Sequence, residues 1–104
     1  MELPIHRRLK TVYKITYPNG KIYIGKDLVH NVNYFGSASG ELIGADFTLQ
    51  EQLDFTIRKE ILWHSVDATD QEVNRREVEF IRQHGSNNPA IGYNKWPPFR
   101  DGVA

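Results

Sequence analysis

The 104-residue chain has no cysteine, one methionine, no net charge and no apolar run near the ~20 residues that a bilayer span needs. Without cysteine, structural disulfides and thiolate zinc sites are excluded. The first residues lack the basic-then-apolar layout of a secretory leader, so a cytoplasmic protein with no membrane contact is expected. A neutral chain has little charge for a strong, nonspecific hold on nucleic acid, which depends on phosphate neutralisation. Repeats, low-complexity tracts and internal linkers are missing too. What is present, 39% apolar and 25% charged residues, suits one domain with one core. A domain of this size buries roughly two-thirds of the surface of its unfolded chain, and the composition fits an α+β or all-β fold.

The charge is unevenly placed. Residues 1–26 carry an excess of five positive charges, 27–72 an excess of seven negative charges, and 73–104 two positive charges. The basic ends either meet in space as a phosphate-binding strip or are separate solvated faces. Met1 to Lys10, with Arg7, Arg8 and Lys10, reads as a flexible basic arm. Thr11 to Gly25 reads as a hairpin, and Asp27 to Ser39 as a loop rich in Asn, Gly and Ser. Ser39 to Leu53 has an interrupted helical pattern, with Gly40 and Gly44 as weak points and Thr48-x-x-Glu51 as a capping box. Phe55 to Trp63 reads as a third strand, Thr69 to His84 as the best helix, and residues 96–104 as a tail.

The hairpin turn decides which side chains share a face. Pro18 suits the second position of a type I turn, and Gly20 the left-handed residue that follows it, giving a three-residue loop. Tyr17 then pairs with Lys21, Ile15 with Tyr23, and Tyr13 with Gly25. Tyr13, Ile15, Tyr17, Lys21, Tyr23 and Gly25 fall on one face; Val12, Ile22 and Ile24 fall on the other. The aliphatic face is the expected core face. The tyrosine face, with a glycine leaving room beside Tyr13, is either packing surface or a site.

In the final helix, Thr69 is the expected N-cap with Glu72 completing a capping box, and Gly85 the stop. At 100° per residue, Val73, Phe80, Ile81 and His84 share an apolar arc, and Glu77 lies inside it. An inward carboxylate is costly unless it is paired or holds a metal. Arg58 is one possible ion partner; a metal or an acid/base role is the other reading.

Thr11-Val12-Tyr13, Tyr23-Ile24-Gly25, a helical glutamate at Glu77 followed by Phe80-Ile81, and Gly92-Tyr93-Asn94 occur in this order. The set resembles the GIY-YIG nuclease family over residues 11–95. The resemblance implies a small three-stranded antiparallel sheet flanked by helices, hence α+β. It also implies hydrolysis of DNA phosphodiesters with one divalent cation, Mg²⁺ or Mn²⁺. Glu77 would be the metal ligand, Tyr13 or Tyr23 would position or deprotonate the attacking water, Gly25 would belong to the catalytic site, and Asn94 would support that site.

Two departures stand out. The first tripeptide is TVY, and Asn33 stands where the family usually has an arginine, with none between Arg8 and Arg58. Lys26, His30 and Arg58 are the candidate replacement cations, with Arg58 preferred. Its alternative role is to pair with Glu60 or Glu77. Lys10, Lys14, Lys21, Lys26 and Arg76 are the candidate phosphate contacts. A homodimer or protein partner would supply further DNA contacts. The alternative to an endonuclease is a relative that keeps the fold and binds nucleic acid or a partner without cutting.

Overall fold

The computed structural model describes residues 9–100. Strands β1 (Lys10–Thr16), β2 (Ile22–Asp27) and β3 (Arg58–Ser65) form one antiparallel sheet in the order β2-β1-β3. Helices α1 (Gly40–Ala45) and α2 (Leu49–Gln52) separate β2 from β3, and α3 (Asp70–His84) follows. The fold is therefore α+β. Residues 1–8 of the expected arm lie outside the described residues, whereas Lys10 opens β1. Among the described residues no helix is long and apolar enough to cross a membrane.

The hairpin has the register expected from its turn. Tyr13 pairs with Gly25 and Ile15 with Tyr23. The Tyr17 amide donates to the Lys21 carbonyl at 2.9 Å, and Gly20, at φ 86°, closes the loop by donating to Tyr17 O at 2.8 Å. A side chain at Gly20 would be strained in that left-handed conformation. The tyrosine face, however, is no open surface. Val12 and Ile24 pack with Ala68, Val73 and Ile81 beneath α3. On the opposite face, Tyr13, Ile15 and Tyr17 pack with Phe47 and Tyr93, flanked by Ala38, Ile43, Phe55 and Ile57. The sheet thus has a core on each face. A tyrosine brings a large apolar ring with one polar atom, so it serves a core as well as a site.

The expected third strand starts three residues late and ends two residues late. Phe55 leaves the ladder to meet Phe47 edge-on at 4.8 Å in the tyrosine-side core. The β1–β3 register shifts between Val12 and Tyr13, where Val12 faces Trp63 and Tyr13 faces Ile61. Leu62 is the extra residue of that bulge.

The expected helical interruption separates α1 from α2, and the Thr48–Glu51 capping box is complete. The box expected at Thr69 is only half made. Thr69 accepts from the Glu72 amide, but the Glu72 carboxylate turns to Arg75 and Arg76, at 3.4 and 3.5 Å. Val73 and Ile81 face the sheet as the helical period requires, and Gly85 ends α3.

Ile91 to Asn94 then runs beside β2. The Ile22 amide donates to Ile91 O at 3.1 Å, and the Tyr93 amide donates to Ile22 O at 2.9 Å. Contacts with the fold continue after residue 95. Pro97 is buried, and its carbonyl accepts from Asn87 Nδ2 at 2.7 Å. Gly92 sits where three chain segments converge; a Cβ there would lie 2.4 Å from Ser86 O and 2.5 Å from Ile22 O. Both obstacles are backbone atoms that cannot swing aside. Gly92→Ala is expected to destabilise the protein by about 1–3 kcal/mol, the usual cost of forced overpacking, measured by urea unfolding.

Candidate active site

A cleft of about 430 Å³ opens along the β2 edge, lined by Tyr23, Ser37, Glu77, Asn94, Lys95 and Trp96 among others. Its members come from four places in the chain: β2, the loop after it, α3 and the segment after α3. Asn94 fixes their relation. Its Oδ1 accepts from the Ile24 amide and its Nδ2 donates to the Ile24 carbonyl, each at 2.8 Å. A carboxamide supplies a donor and an acceptor together, which a carboxylate or hydroxyl cannot match at this spacing. With both polar atoms engaged on β2, Asn94 is a positioning residue.

Glu77 stands between Val73 and Ile81 on the sheet-facing side of α3 and is half-buried. Among the described residues it makes no hydrogen bond or ion pair within contact range. Burial raises its pKa, and the positive charge of Lys26 opposes that shift. Such a carboxylate suits a hard divalent cation, which accepts oxygen ligands and retains water or phosphate in the remaining positions. No three His, Cys, Asp or Glu side chains among the described residues converge on a metal position.

The two tyrosines differ in access. Tyr23 lines the cleft, while Tyr13 is 1% exposed and packs behind it. A Cβ at Gly25 would lie 2.3 Å from the Tyr13 hydroxyl oxygen. One at Gly36, where φ is +86°, would lie 2.5 Å from the same atom and 2.8 Å from Tyr23 Cε2. Both glycines are thus required by the approach of the phenol rings. Burial is the main cause raising both tyrosine pKa values, and neighbouring tyrosines and acidic groups push the same way. Hydrogen bonding from Ser37 opposes the shift at Tyr23 alone.

The candidate cations separate clearly. Arg58 is exposed and pairs with Glu60 at 3.3 Å. It begins β3, opposite Thr16, on the sheet edge away from β2. Strand order thus sets the preferred cation, Arg58, away from this cleft, where it makes the alternative pair with Glu60. His30 does not line the cleft; its amide donates to Leu9 O, and its buried Nδ1 has no partner among the described residues. Lys26 contacts Asn74 on α3, and its charge reaches Glu77. Asn33 is an exposed loop residue.

Two lysines were missed. Lys95 lines the cleft, and its position directly after Asn94 was the available signal. Lys59 lies 4.8 Å over the Tyr13 ring and donates to the carbonyls of Asn31 and Tyr34. Burial lowers its pKa. Strand alternation with Ile57, which packs in the tyrosine-side core, places Lys59 on that face.

Four of the expected phosphate contacts are ion-paired within the chain. Lys10 meets Asp70 at 3.0 Å, Lys14 meets Glu60 at 3.3 Å, and Lys21 meets Asp46 at 2.9 Å. Arg76 lies 3.5 Å from Glu72 and 5.6 Å from the Trp63 ring. The acidic middle of the sequence therefore folds onto its basic ends. No family model, curated protein or solved structure matches this chain.

Asn94→Ala removes both side-chain bonds to β2 and should cost about 1–3 kcal/mol, as buried backbone groups lose partners; urea unfolding reads the loss. Glu77→Gln should act in the opposite direction. Burial raises the folded carboxyl pKa above the ordinary 4.5, so ionisation penalises the folded state at neutral pH. That penalty fades as pH falls through the folded pKa and is gone below the unfolded one. The substitution should raise the melting temperature at pH 7 by more than it does at pH 4.

Proposed function

We propose that the protein is a metal-dependent DNA endonuclease of the GIY-YIG type. The observation that supports this most is Glu77, a half-buried carboxylate without an ion partner among the described residues, sharing a cleft with Tyr23. The sheet order and the contacts of Tyr13, Gly25 and Asn94 are consistent with that reading.

Mg²⁺ or Mn²⁺ held by Glu77 would supply Lewis acidity at the scissile phosphate. Tyr23, at the cleft wall, would first lose its own proton to solvent and then, as the phenolate, hold the attacking water and take its proton. A phenol with an ordinary pKa of ~10 needs positive charge nearby to do this at neutral pH. Lys26 and Lys95 bring that charge to the cleft and take the role for which the family uses arginine. Tyr13, wedged against Gly25 and Gly36 under Lys59, keeps the Tyr23 ring and the β2 edge in place. A homodimer or a protein partner supplies DNA contacts that the internally paired lysines do not.

Two observations favour the alternative, a relative that binds nucleic acid or a partner without cutting: burial moves both tyrosines away from ionisation, and no arginine among the described residues lines the cleft. Cleavage of supercoiled plasmid with Mg²⁺, Mn²⁺ or EDTA separates the readings. The endonuclease requires metal-dependent cutting that falls at least about 100-fold in Tyr23→Phe, the lower range for loss of a general base, and disappears in Glu77→Ala. DNA binding without cutting at high protein concentration establishes the alternative.

A further inference from the structure

Beyond Asn94 the chain reads Lys95-Trp96-Pro97-Pro98-Phe99-Arg100, with an aromatic residue and a cation at each end of a proline pair. Lys95 lines two adjoining clefts. Trp96 lines the first, with Glu77 and Tyr23; Phe99 lines the second, of about 350 Å³. Trp96 is 68% exposed and Phe99 41%. Lys95 has no ion pair among the described residues, in contrast to Lys10, Lys14 and Lys21.

This segment is anchored, although its aromatic rings are exposed. Pro97 is buried, with its carbonyl held by Asn87, and the ring of each proline fixes φ. The backbone that carries the indole is therefore held in place before binding, which lowers the cost of ordering that segment. An exposed aromatic ring offers a flat apolar face, and the complementary ligand is a base whose own face is open. Bases inside a duplex already stack on their neighbours. A chain with no net charge, six of whose basic residues are ion-paired among the described residues, also has little charge for gripping a duplex from outside. Alternating aromatic rings and a cation instead match the chemistry of single-strand binding, in which bases stack while the cation follows the phosphates.

The geometry points to a track for unpaired DNA along residues 95–99, with one base on Trp96, the next on Phe99 and the intervening phosphate at Lys95. The track deepens the endonuclease reading and rests on it for the placement of the scissile phosphate at Glu77. The substrate class that follows is DNA with an unpaired strand beside the cut, such as a flap, fork or gap.

Fluorescence anisotropy of a labelled 12-nucleotide thymidine strand, and of a labelled hairpin duplex, tests the track in EDTA, where cutting is blocked. The single strand is expected to bind at least tenfold tighter than the duplex. Trp96→Ala should lose about tenfold or more for the single strand, with little change for the duplex and none in melting temperature. Trp96→Phe should retain most of the affinity, and Lys95→Ala should flatten the salt dependence of single-strand binding by about one phosphate contact. Equal binding of both DNAs, or single-strand affinity unchanged in Trp96→Ala, overturns the track. The same proteins with Mn²⁺ and a flapped substrate separate this inference from the reading beneath it. Trp96-dependent single-strand binding without any cutting upholds the track and removes the endonuclease. Cutting without preference for an unpaired strand does the reverse.

Discussion

The pair of hydrogen bonds between the Asn94 side chain and the Ile24 backbone is the constraint on which the site's geometry depends. β2 is an edge strand, with β1 on one side only. Its outward backbone groups require partners when they are covered. Ile91 and Tyr93 satisfy Ile22 through main-chain bonds, and Asn94 continues the pattern with a side chain where the main chain turns away. The Tyr93 hydroxyl extends the anchorage by donating to Asp46 at 2.7 Å and accepting from Asn19 at 3.0 Å. Asp46 also meets Lys21 at 2.9 Å, so the hairpin turn, the end of α1 and the last segment are tied at one point.

An edge is also the one place where the sheet's two faces can serve a single cleft. Along β2 the side chains alternate: Tyr23 turns to the tyrosine-side core, while Ile24 packs under α3. Glu77 belongs to the helix covering the second face, yet it lines the same cleft as Tyr23. On the central strand these groups would be separated by the thickness of the sheet. The cost of this placement is visible in Glu77, which occupies a position between Val73 and Ile81 where a leucine would pack without desolvating a charge. Local departures from good packing of this kind are the expected mark of a site.

Local rules made the hairpin and α3 legible. Pro18 and Gly20 determine the turn and thereby every β1–β2 pair, and Thr69, Gly85 and a 3.6-residue period bound the helix. Glu77 stood out because it broke that period. The division of labour between the faces was not legible, since Tyr13, Ile15 and Tyr17 satisfy both a core and a site. Neither was the place of Lys59: adjacent strand residues point opposite ways, and the placement of β3 decides that it, and not Arg58, faces the tyrosines. Gly36 required knowledge of a ring approaching from 23 residues away in sequence. Trp96 lies in a segment without periodicity, so only tertiary placement reveals that it reaches the cleft; for Lys95, adjacency to Asn94 was the one local signal.

The distribution of charge follows from the same architecture. Ion pairs to Asp70, Glu60 and Asp46 draw Lys10, Lys14 and Lys21 inward, reducing the field available to steer a polyanion from a distance. Lys26, Lys59 and Lys95 instead lie around the tyrosines and Glu77. Lys59 is committed to two loop carbonyls and the Tyr13 ring, and Lys26 to Asn74. Lys95 is thus the lysine of the three that no such contact among the described residues holds. Under the proposed function, with so little long-range attraction among the described residues, recognition falls to short-range contacts in the cleft and with the groups at its mouth. The β2 edge supplies the cleft, and the anchored segment after Asn94 supplies those groups. Both depend on the single carboxamide that joins that segment to the sheet.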